Sequence, residues 1–213
     1  MTADDSSDNM KPRLPQFKFG RFNVTSQVGF KADFKSLGSV ERSELNFCHQ
    51  VFYSTRLSFA LVNLKPLLPG HVLVSPIRSV PRFSGLSSVE VTDLFLTVRQ
   101  VSSMIERVYK ATSLNIAIQD GPDAGQSIPH LHVHVIPRSK SDLDDRGGTD
   151  AIYDMMDGEE GNVGKHLKER AEGAKGWTGP DAEERKPRSE GEMREEADML
   201  RMEIESTKGL ERE

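Results

Sequence analysis

Residues 130–137 have the sequence His130-Leu131-His132-Val133-His134-Val135-Ile136-Pro137. Its polar and apolar residues alternate, as they do on a β-strand whose side chains point to opposite faces in turn. The alternation predicts a strand from His130 to Ile136, with the three histidines on one face. Leu131, Val133 and Val135 lie on the other face, which we expect to be buried. The chain has six histidines, and their concentration here requires an explanation.

The residues alone leave three explanations of the histidine face open. The first is a solvated polar face, where other polar residues would serve equally well. The second is a metal site. One ion could hardly bind all three rings, because the backbones of His130 and His134 would be about 13 Å apart while zinc–nitrogen bonds are about 2 Å. Two neighbouring histidines together with a distant ligand could bind one. The third is a phosphate site, since a neutral imidazole is a nucleophile and a protonated one donates to phosphate oxygens.

The segment from Gly125 to Ile136 resembles the His-x-His-x-His-x-x motif of the histidine-triad family. Upstream blocks resemble the fragile-histidine-triad branch of that family; they are 57–63, 65–66, 69–74 and 119–122. The resemblance implies an α+β fold with a five-stranded antiparallel sheet and one major helix. It also implies hydrolysis of diadenosine triphosphate to AMP and ADP, a homodimer, and Mg²⁺ or Mn²⁺ that accompanies the substrate without being tightly bound.

The same resemblance assigns roles to individual residues. His132 is the expected nucleophile, which attacks the α-phosphorus and forms an adenylyl-histidine that water then hydrolyses. His130 and His71 orient the site, and Asn63 contacts the ribose. The residues expected at the phosphate chain or leaving group are His134, Gln119, Gln126, Ser127, Gly125 and Ile128. An ordinary structural role is the alternative for each of them.

Hydrophobic patterns outside the motif predict the remaining elements of a domain over residues 16–140. Ser87 and Glu90 have the spacing of a capping box, and helical periodicity continues from there to about Lys110. The predicted strands are 17–24, 57–64, 71–75 and 113–119, and residues 120–125 have the composition of a loop.

The two ends of the chain differ in composition from the domain. Residues 1–15 are polar and proline-bearing, which predicts disorder. Residues 141–188 are rich in charge and glycine without periodicity, which predicts a flexible linker. After the linker, a helical stripe predicts a C-terminal helix over 189–206 that packs on the domain; its apolar members are Met193, Ala197, Leu200 and Ile204.

Two features depart from the family. Residues 28–50 have no counterpart in the relatives, and we interpret them as an insertion or an unspliced intron. The intron is a hypothesis, motivated by the fact that Val28 can be encoded by a codon starting with GT and Gln50 by CAG, as at intron borders. Spliced transcript reads that join Gln27 to Val51 would support it, and continuous reads would contradict it. The second departure is Phe22, which stands where the relatives have a histidine.

The bulk properties exclude several classes of protein. The net charge of -5 gives no basic footprint for nucleic acid. The single cysteine, Cys48, rules out an internal disulfide framework. With no signal peptide or membrane span in the sequence, we expect a cytoplasmic protein with access to the nucleus as a second possibility. Two rival functions remain: an adenosine phosphoramidase of the same superfamily, and a signalling protein that acts in its nucleotide-bound state with slow turnover.

Overall fold

A computed structural model describes residues 16–19, 22–25, 50–159 and 187–208 of the chain. Within these ranges, five antiparallel strands form the central sheet in the order β3-β4-β5-β7-β6. Their bounds are β3 Val51–Ser54, β4 Ser58–Val62, β5 Val72–Pro76, β6 Ser113–Ala117 and β7 Val133–Arg138. A separate hairpin consists of β1 Gln16–Phe19 and β2 Phe22–Thr25. The α+β fold with its five-stranded sheet is therefore confirmed.

Three helices accompany the strands in the described part of the chain: α1 Ser88–Tyr109, α2 Ala151–Glu159 and α3 Glu190–Lys208. Helix α1 packs on β4, β5, β7 and β6, and α3 packs on β3, β4 and α1. The apolar stripe of α3, Met193, Ala197, Leu200 and Ile204, is buried in the main core as its spacing predicts. No helix among these residues is long and apolar enough to cross a membrane.

The histidine strand begins later than the alternation predicts. β7 starts at Val133, so His130 and His132 precede the ladder. The reason is that the backbone N–H of Leu131 donates to the carbonyl of Val80 at 2.7 Å, outside the sheet. The burial prediction is confirmed for Leu131, Val133 and Val135, which are fully buried. The three histidines are buried as well, which removes the interpretation as a solvated polar face.

The N-terminal segment also differs from its prediction. One strand was expected over 17–24, whereas Phe19 pairs with Phe22 and the chain reverses between them. The apolar residues of this segment thus lie on two short strands. The predicted disorder over 1–15 and most of the insertion, residues 28–49, lie outside the described residues.

The linker prediction for 141–188 is wrong over its first part. α2 and the turn before it bury a second hydrophobic cluster against Ile136 of β7 and Leu67. The residues that α2 and this turn contribute are Leu143, Ile152, Met155 and Met156. The prediction failed because the segment as a whole is rich in charged residues, while only a few apolar residues are needed to cover one end of a sheet. Residues 160–186 of the predicted linker lie outside the described part.

The capping box predicted at the start of α1 is present. The Ser87 side chain accepts from the backbone N–H of Glu90, and the Glu90 carboxylate accepts from the backbone N–H of Ser87 at 2.8 Å. Arg78 adds a two-pronged ion pair to the same carboxylate, with Nη2 at 2.7 Å and Nε at 2.8 Å. The helix therefore anchors the loop that follows β5.

The Glu90 anchor is expected to make stability depend on acid pH. Hydrogen bonds from Arg78 and Ser87 lower the pKa of Glu90 from 4.5 to about 2. A depressed carboxyl pKa contributes stability that is fully present above the unfolded pKa and is lost as pH falls through the folded one. We therefore expect Glu90→Gln to destabilise the protein above about pH 4.5, and the deficit to shrink as pH falls toward 2. Urea unfolding of both proteins from pH 2 to 7 measures this; a deficit independent of pH would contradict it.

Candidate active site

The imidazole rings form one buried cluster where β5 meets β7. The ring centroids of His132 and His134 are 4.8 Å apart, and those of His71 and His134 are 5.3 Å apart. Leu73 pairs with His134 across the two strands, which places His71 near it at the start of β5. The structure thus brings together His71 and His134 from segments that are 63 residues apart in sequence.

The backbone selects the tautomer of His132. Its Nδ1 lies 2.8 Å from the carbonyl oxygen of His130. A carbonyl only accepts hydrogen bonds, so Nδ1 carries the proton and donates it. Burial lowers the pKa of His132 below 6.5, although the carbonyl of His130 acts in the opposite direction. A neutral ring protonated at Nδ1 has its lone pair on Nε2, which is the form in which imidazole acts as a nucleophile.

The opposite tautomer is selected at His71 and His134. The backbone N–H of Leu67 donates to Nδ1 of His71 at 3.1 Å, so the proton of a neutral His71 is on Nε2. That Nε2 lies 3.1 Å from Nδ1 of His134 and donates to it. His134 therefore carries its own proton on Nε2, as a hydrogen-bond donor.

Burial keeps these two rings neutral. The pKa of His71 is lowered to about 3, mainly by burial and to a smaller extent by electrostatic interactions with His132 and Arg188. Burial likewise lowers the pKa of His134 well below its usual value, with His132 and His71 as further causes. The cluster can therefore offer a lone pair at His132 and a proton donor at His134 simultaneously.

His130 has a different environment from the other two histidines of the motif. Its Nε2 donates to the carbonyl of Pro76 at 2.8 Å, and its own carbonyl holds His132. Burial is the largest cause that lowers its pKa to about 4. Such an arrangement suits a residue that fixes the shape of the site.

A narrow cleft leads to the nucleophile candidate. It is lined by Phe19, Asn63, Leu73, Ser127, Ile128, His132 and His134. Phe19 covers the motif, with its ring 5.3 Å from that of His132 and 5.4 Å from that of His130. Phe19 was not among the site residues predicted from the sequence. The one feature that could have indicated it is its aromatic side chain in the short strand before the insertion.

A model of the HIT domain matches residues 45–141. Over 161 residues the chain is 47% identical to the bis(5'-nucleosyl)-tetraphosphatase (asymmetrical) of Schizosaccharomyces pombe, covering 71% of this chain and 87% of the relative. The chain belongs to the HIT, or histidine-triad, family.

Two further HIT relatives extend the comparison. One is the bifunctional bis(5'-adenosyl)-triphosphatase/adenylylsulfatase FHIT of Arabidopsis thaliana, 46% identical over 152 residues that cover 71% of this chain and 76% of the relative. The other is the crystal structure of the Caenorhabditis elegans NitFhit protein. It aligns with a TM-score of 0.56 and 30% identity, over 91% of this chain and 31% of that one.

Of the remaining residues expected at the site, some line the cleft and others do not. Ser127 and Ile128 line the cleft, as does Asn63, whose Nδ2 lies 3.4 Å from both ring nitrogens of His71. Gln119 follows β6, two residues after Ala117, which pairs with His134. Its Oε1 is buried and accepts no hydrogen bond from the described residues. Gln119 is not among the residues that line the cleft, so its contact with a phosphate chain stays a prediction.

Gln126 and Gly125 lie outside the residues that line the cleft. The Gln126 amide donates to the carbonyl of Pro81 at 2.8 Å, and Gly125 ends a 3₁₀ turn with φ of 85°. Their contacts with a phosphate chain stay predictions that require this loop to move. Among the residues that the structure describes, no group of three or more His, Cys, Asp or Glu side chains could hold a metal ion.

Proposed function

We propose that this chain hydrolyses dinucleoside oligophosphates, with diadenosine triphosphate as the preferred substrate, to AMP and ADP. The observation that carries the proposal is the pairing of opposite tautomers, which gives His132 a lone pair on Nε2 beside the proton donor of His134. The names of the Arabidopsis and Schizosaccharomyces pombe relatives support this substrate class.

The proposed reaction has two displacements at one phosphorus. Nε2 of His132 attacks the α-phosphorus, the bond from phosphorus to the bridging oxygen breaks, and ADP leaves with the electron pair. Water then attacks the adenylyl phosphorus, loses a proton to the solvent, and the phosphorus–nitrogen bond breaks, which releases AMP and returns the lone pair to His132. Nε2–H of His134 donates to the phosphate oxygens as their charge develops. Covalent catalysis divides one difficult displacement into two easier ones.

Access to His132 requires Phe19 to move. The free volume of the cleft is about 10 Å³, space for about one water molecule. A phosphate chain therefore displaces the aromatic ring before it reaches the nucleophile. In that open form the ring of Phe19 is available to stack on a purine base.

A divalent cation is proposed to arrive with the substrate. Magnesium prefers oxygen ligands, and the described residues that line the cleft offer the side-chain oxygens of Asn63 and Ser127 and no carboxylate. These described residues thus do not form a dedicated Mg²⁺ or Mn²⁺ cage. We expect such an ion to raise the rate moderately and to be removed by dialysis.

A homodimer is proposed because, among the described strands, β6 has a neighbour on one side only. This edge strand exposes Ile116 by 49%. Helix α1 adds exposed Phe95 and Leu96. Exposed apolar residues beside an open strand are typical of an interface between copies. Sedimentation at micromolar concentration should give twice the mass of the chain, and a monomer there would contradict this.

Substrate preference distinguishes the proposal from its rivals. ADP departs more easily than an amine, and contacts with a phosphate chain are made only by a substrate that has one. We expect kcat/KM for diadenosine triphosphate to exceed that for an adenosine phosphoramidate by about 10-fold or more. Steady-state rates with both compounds and with diadenosine tetraphosphate measure it. A tenfold preference for the phosphoramidate would favour the phosphoramidase, and tight binding without turnover would favour the signalling protein.

A further inference from the structure

Helix α3 is connected to the active site through Arg188, which lies two residues before the helix begins. The guanidinium donates to the backbone carbonyl of Asn63 from both Nε, at 3.1 Å, and Nη2. Its Nη1 donates to the carboxylate of Glu196 on α3. The backbone N–H of Arg188 donates to the carbonyl of Leu64 at 3.1 Å. The side chain is only 18% exposed, so these contacts are shielded from solvent.

The carbonyl that Arg188 holds belongs to a cleft residue. Asn63 lines the cleft and its amide lies against the ring of His71. The turn after Asn63 carries Leu67, whose N–H selects the tautomer of His71. His71 in turn donates to His134. A continuous path therefore runs from the arginine to the proton donor of the site.

The carboxylate that orients Arg188 is itself fixed. Glu196 accepts from the hydroxyl of Tyr109, at the end of α1, at 2.5 Å. Glu196 is thereby shared between α1 and the segment that carries Arg188. This arrangement makes the position of Asn63 depend on the docking of α3.

We propose that Arg188 is a positioning residue, which holds Asn63 and the turn to His71 so that His134 presents its Nε2 proton to the substrate. The inference rests on the proposed function. It assigns a catalytic consequence to the C-terminal helix, which otherwise only completes the core.

We expect loss of the Arg188 guanidinium to lower kcat by displacing Asn63 and not by changing the charge near His71. The charge of Arg188 is the smallest of the three causes that lower the pKa of His71, and burial is the largest. Removal of the guanidinium therefore leaves His71 neutral. What is lost is the anchor on the Asn63 carbonyl, and a misplacement of about 1 Å can cost about 100-fold in rate.

Arg201 provides a matched control on the same helix. Its Nη2 donates to the backbone carbonyl of Val51 at 2.9 Å, and Nη1 pairs with Asp198 at 2.6 Å. It is 17% exposed, close to the value for Arg188. Val51 lies on β3, at the opposite edge of the sheet from β6. Arg188 thus ties α3 to a backbone carbonyl just after β4, and Arg201 ties it to one on β3, but only the carbonyl that Arg188 holds is at the cleft.

The experiment compares Arg188→Gln, Arg188→Lys and Arg201→Gln in the full chain with diadenosine triphosphate, at a temperature where melting curves show each to be folded. We expect kcat to fall about 10-fold or more in Arg188→Gln with KM changed less. Arg188→Lys should recover part of the loss, and Arg201→Gln should stay near wild type. Wild-type kcat in Arg188→Gln, or an equal loss in Arg201→Gln, would overturn the proposal.

A spectroscopic measurement tests the inference independently of turnover. In ¹⁵N-histidine-labelled protein, the Nε2–H of His71 should give a slowly exchanging signal in wild type and Arg201→Gln. It should broaden or exchange faster in Arg188→Gln; an unchanged signal would contradict the path described above. Should Arg188→Gln not fold, Glu196→Gln weakens the same contact and serves in its place. Absence of turnover in wild type would refute the proposed function while leaving this measurement valid.

Discussion

Replacement of His132 by asparagine is expected to lower kcat for diadenosine triphosphate by about 10⁴-fold or more, because it removes the Nε2 lone pair that we propose as the nucleophile. Asparagine preserves the local structure, since its amide N–H can donate to the carbonyl of His130 as Nδ1 of His132 does at 2.8 Å. Nucleotide affinity should therefore change little. Single-turnover rates and titration with a non-hydrolysable analogue measure the two properties.

His134→Asn provides the comparison for His132→Asn. It removes a proton donor and retains the nucleophile, so we expect a smaller fall in kcat, about 100-fold to 1000-fold. A His132→Asn variant that keeps wild-type kcat, or that loses less than His134→Asn, would show that His132 is not the nucleophile.

Gly70→Ala is expected to cause the largest loss of stability among single substitutions near the site. Gly70 has φ of 81°, and a Cβ there would lie 2.6 Å from the ring of Tyr109. The hydroxyl of Tyr109 donates a hydrogen bond to Glu196, which restricts movement of the ring away from the added Cβ. We expect the free energy of unfolding to fall by about 3 kcal/mol or more. Urea denaturation with an intact wild-type reference measures it.

Gly148→Ala is the matched control for Gly70→Ala. Gly148 also has positive φ, 95°, but nothing lies within 4 Å of a Cβ built there. The left-handed backbone alone costs about 1–2 kcal/mol. The difference between the two losses isolates the contact with Tyr109, and equal losses would show that the ring yields.

The sequence predicted best where local chemistry decides the structure. The capping box at Ser87 and Glu90, the periodicity of α1 and the stripe of α3 depend on residues close in the chain, and the structure contains all three. The strands predicted over 57–64 and 71–75 are present as β4 and β5, which pair with each other across a short turn. The five-stranded antiparallel sheet of the domain was predicted from the resemblance to the HIT family.

Features that depend on distant contacts could not be predicted in this way. The carbonyl of Val80 draws Leu131 out of the ladder, and no pattern near the histidines indicates it. The helix α2 is short, and the segment that precedes it, residues 138–150, is dominated by charged residues and glycine. Arg188 could only have been noticed beside Ser189 and Glu192, which form a second capping box at the start of α3.

The same distinction holds within the candidate site. Alternation placed three histidines together, and the motif singled out His132. Their tautomers are set by the carbonyl of His130 and by the N–H of Leu67, which only the folded backbone brings into place. The roles assigned to Gln126 and Gly125 stay predictions.

The central claim is that His132 becomes covalently adenylylated during turnover. The most direct measurement is rapid quench with diadenosine triphosphate that carries a radioactive label in its α-phosphates, followed by isolation and peptide mapping of the protein. We expect a labelled protein within the first turnover, labile in acid as a phosphoramidate is, with the label on His132 and none in His132→Asn. AMP formation at the full rate with no labelled protein at any quench time would contradict it.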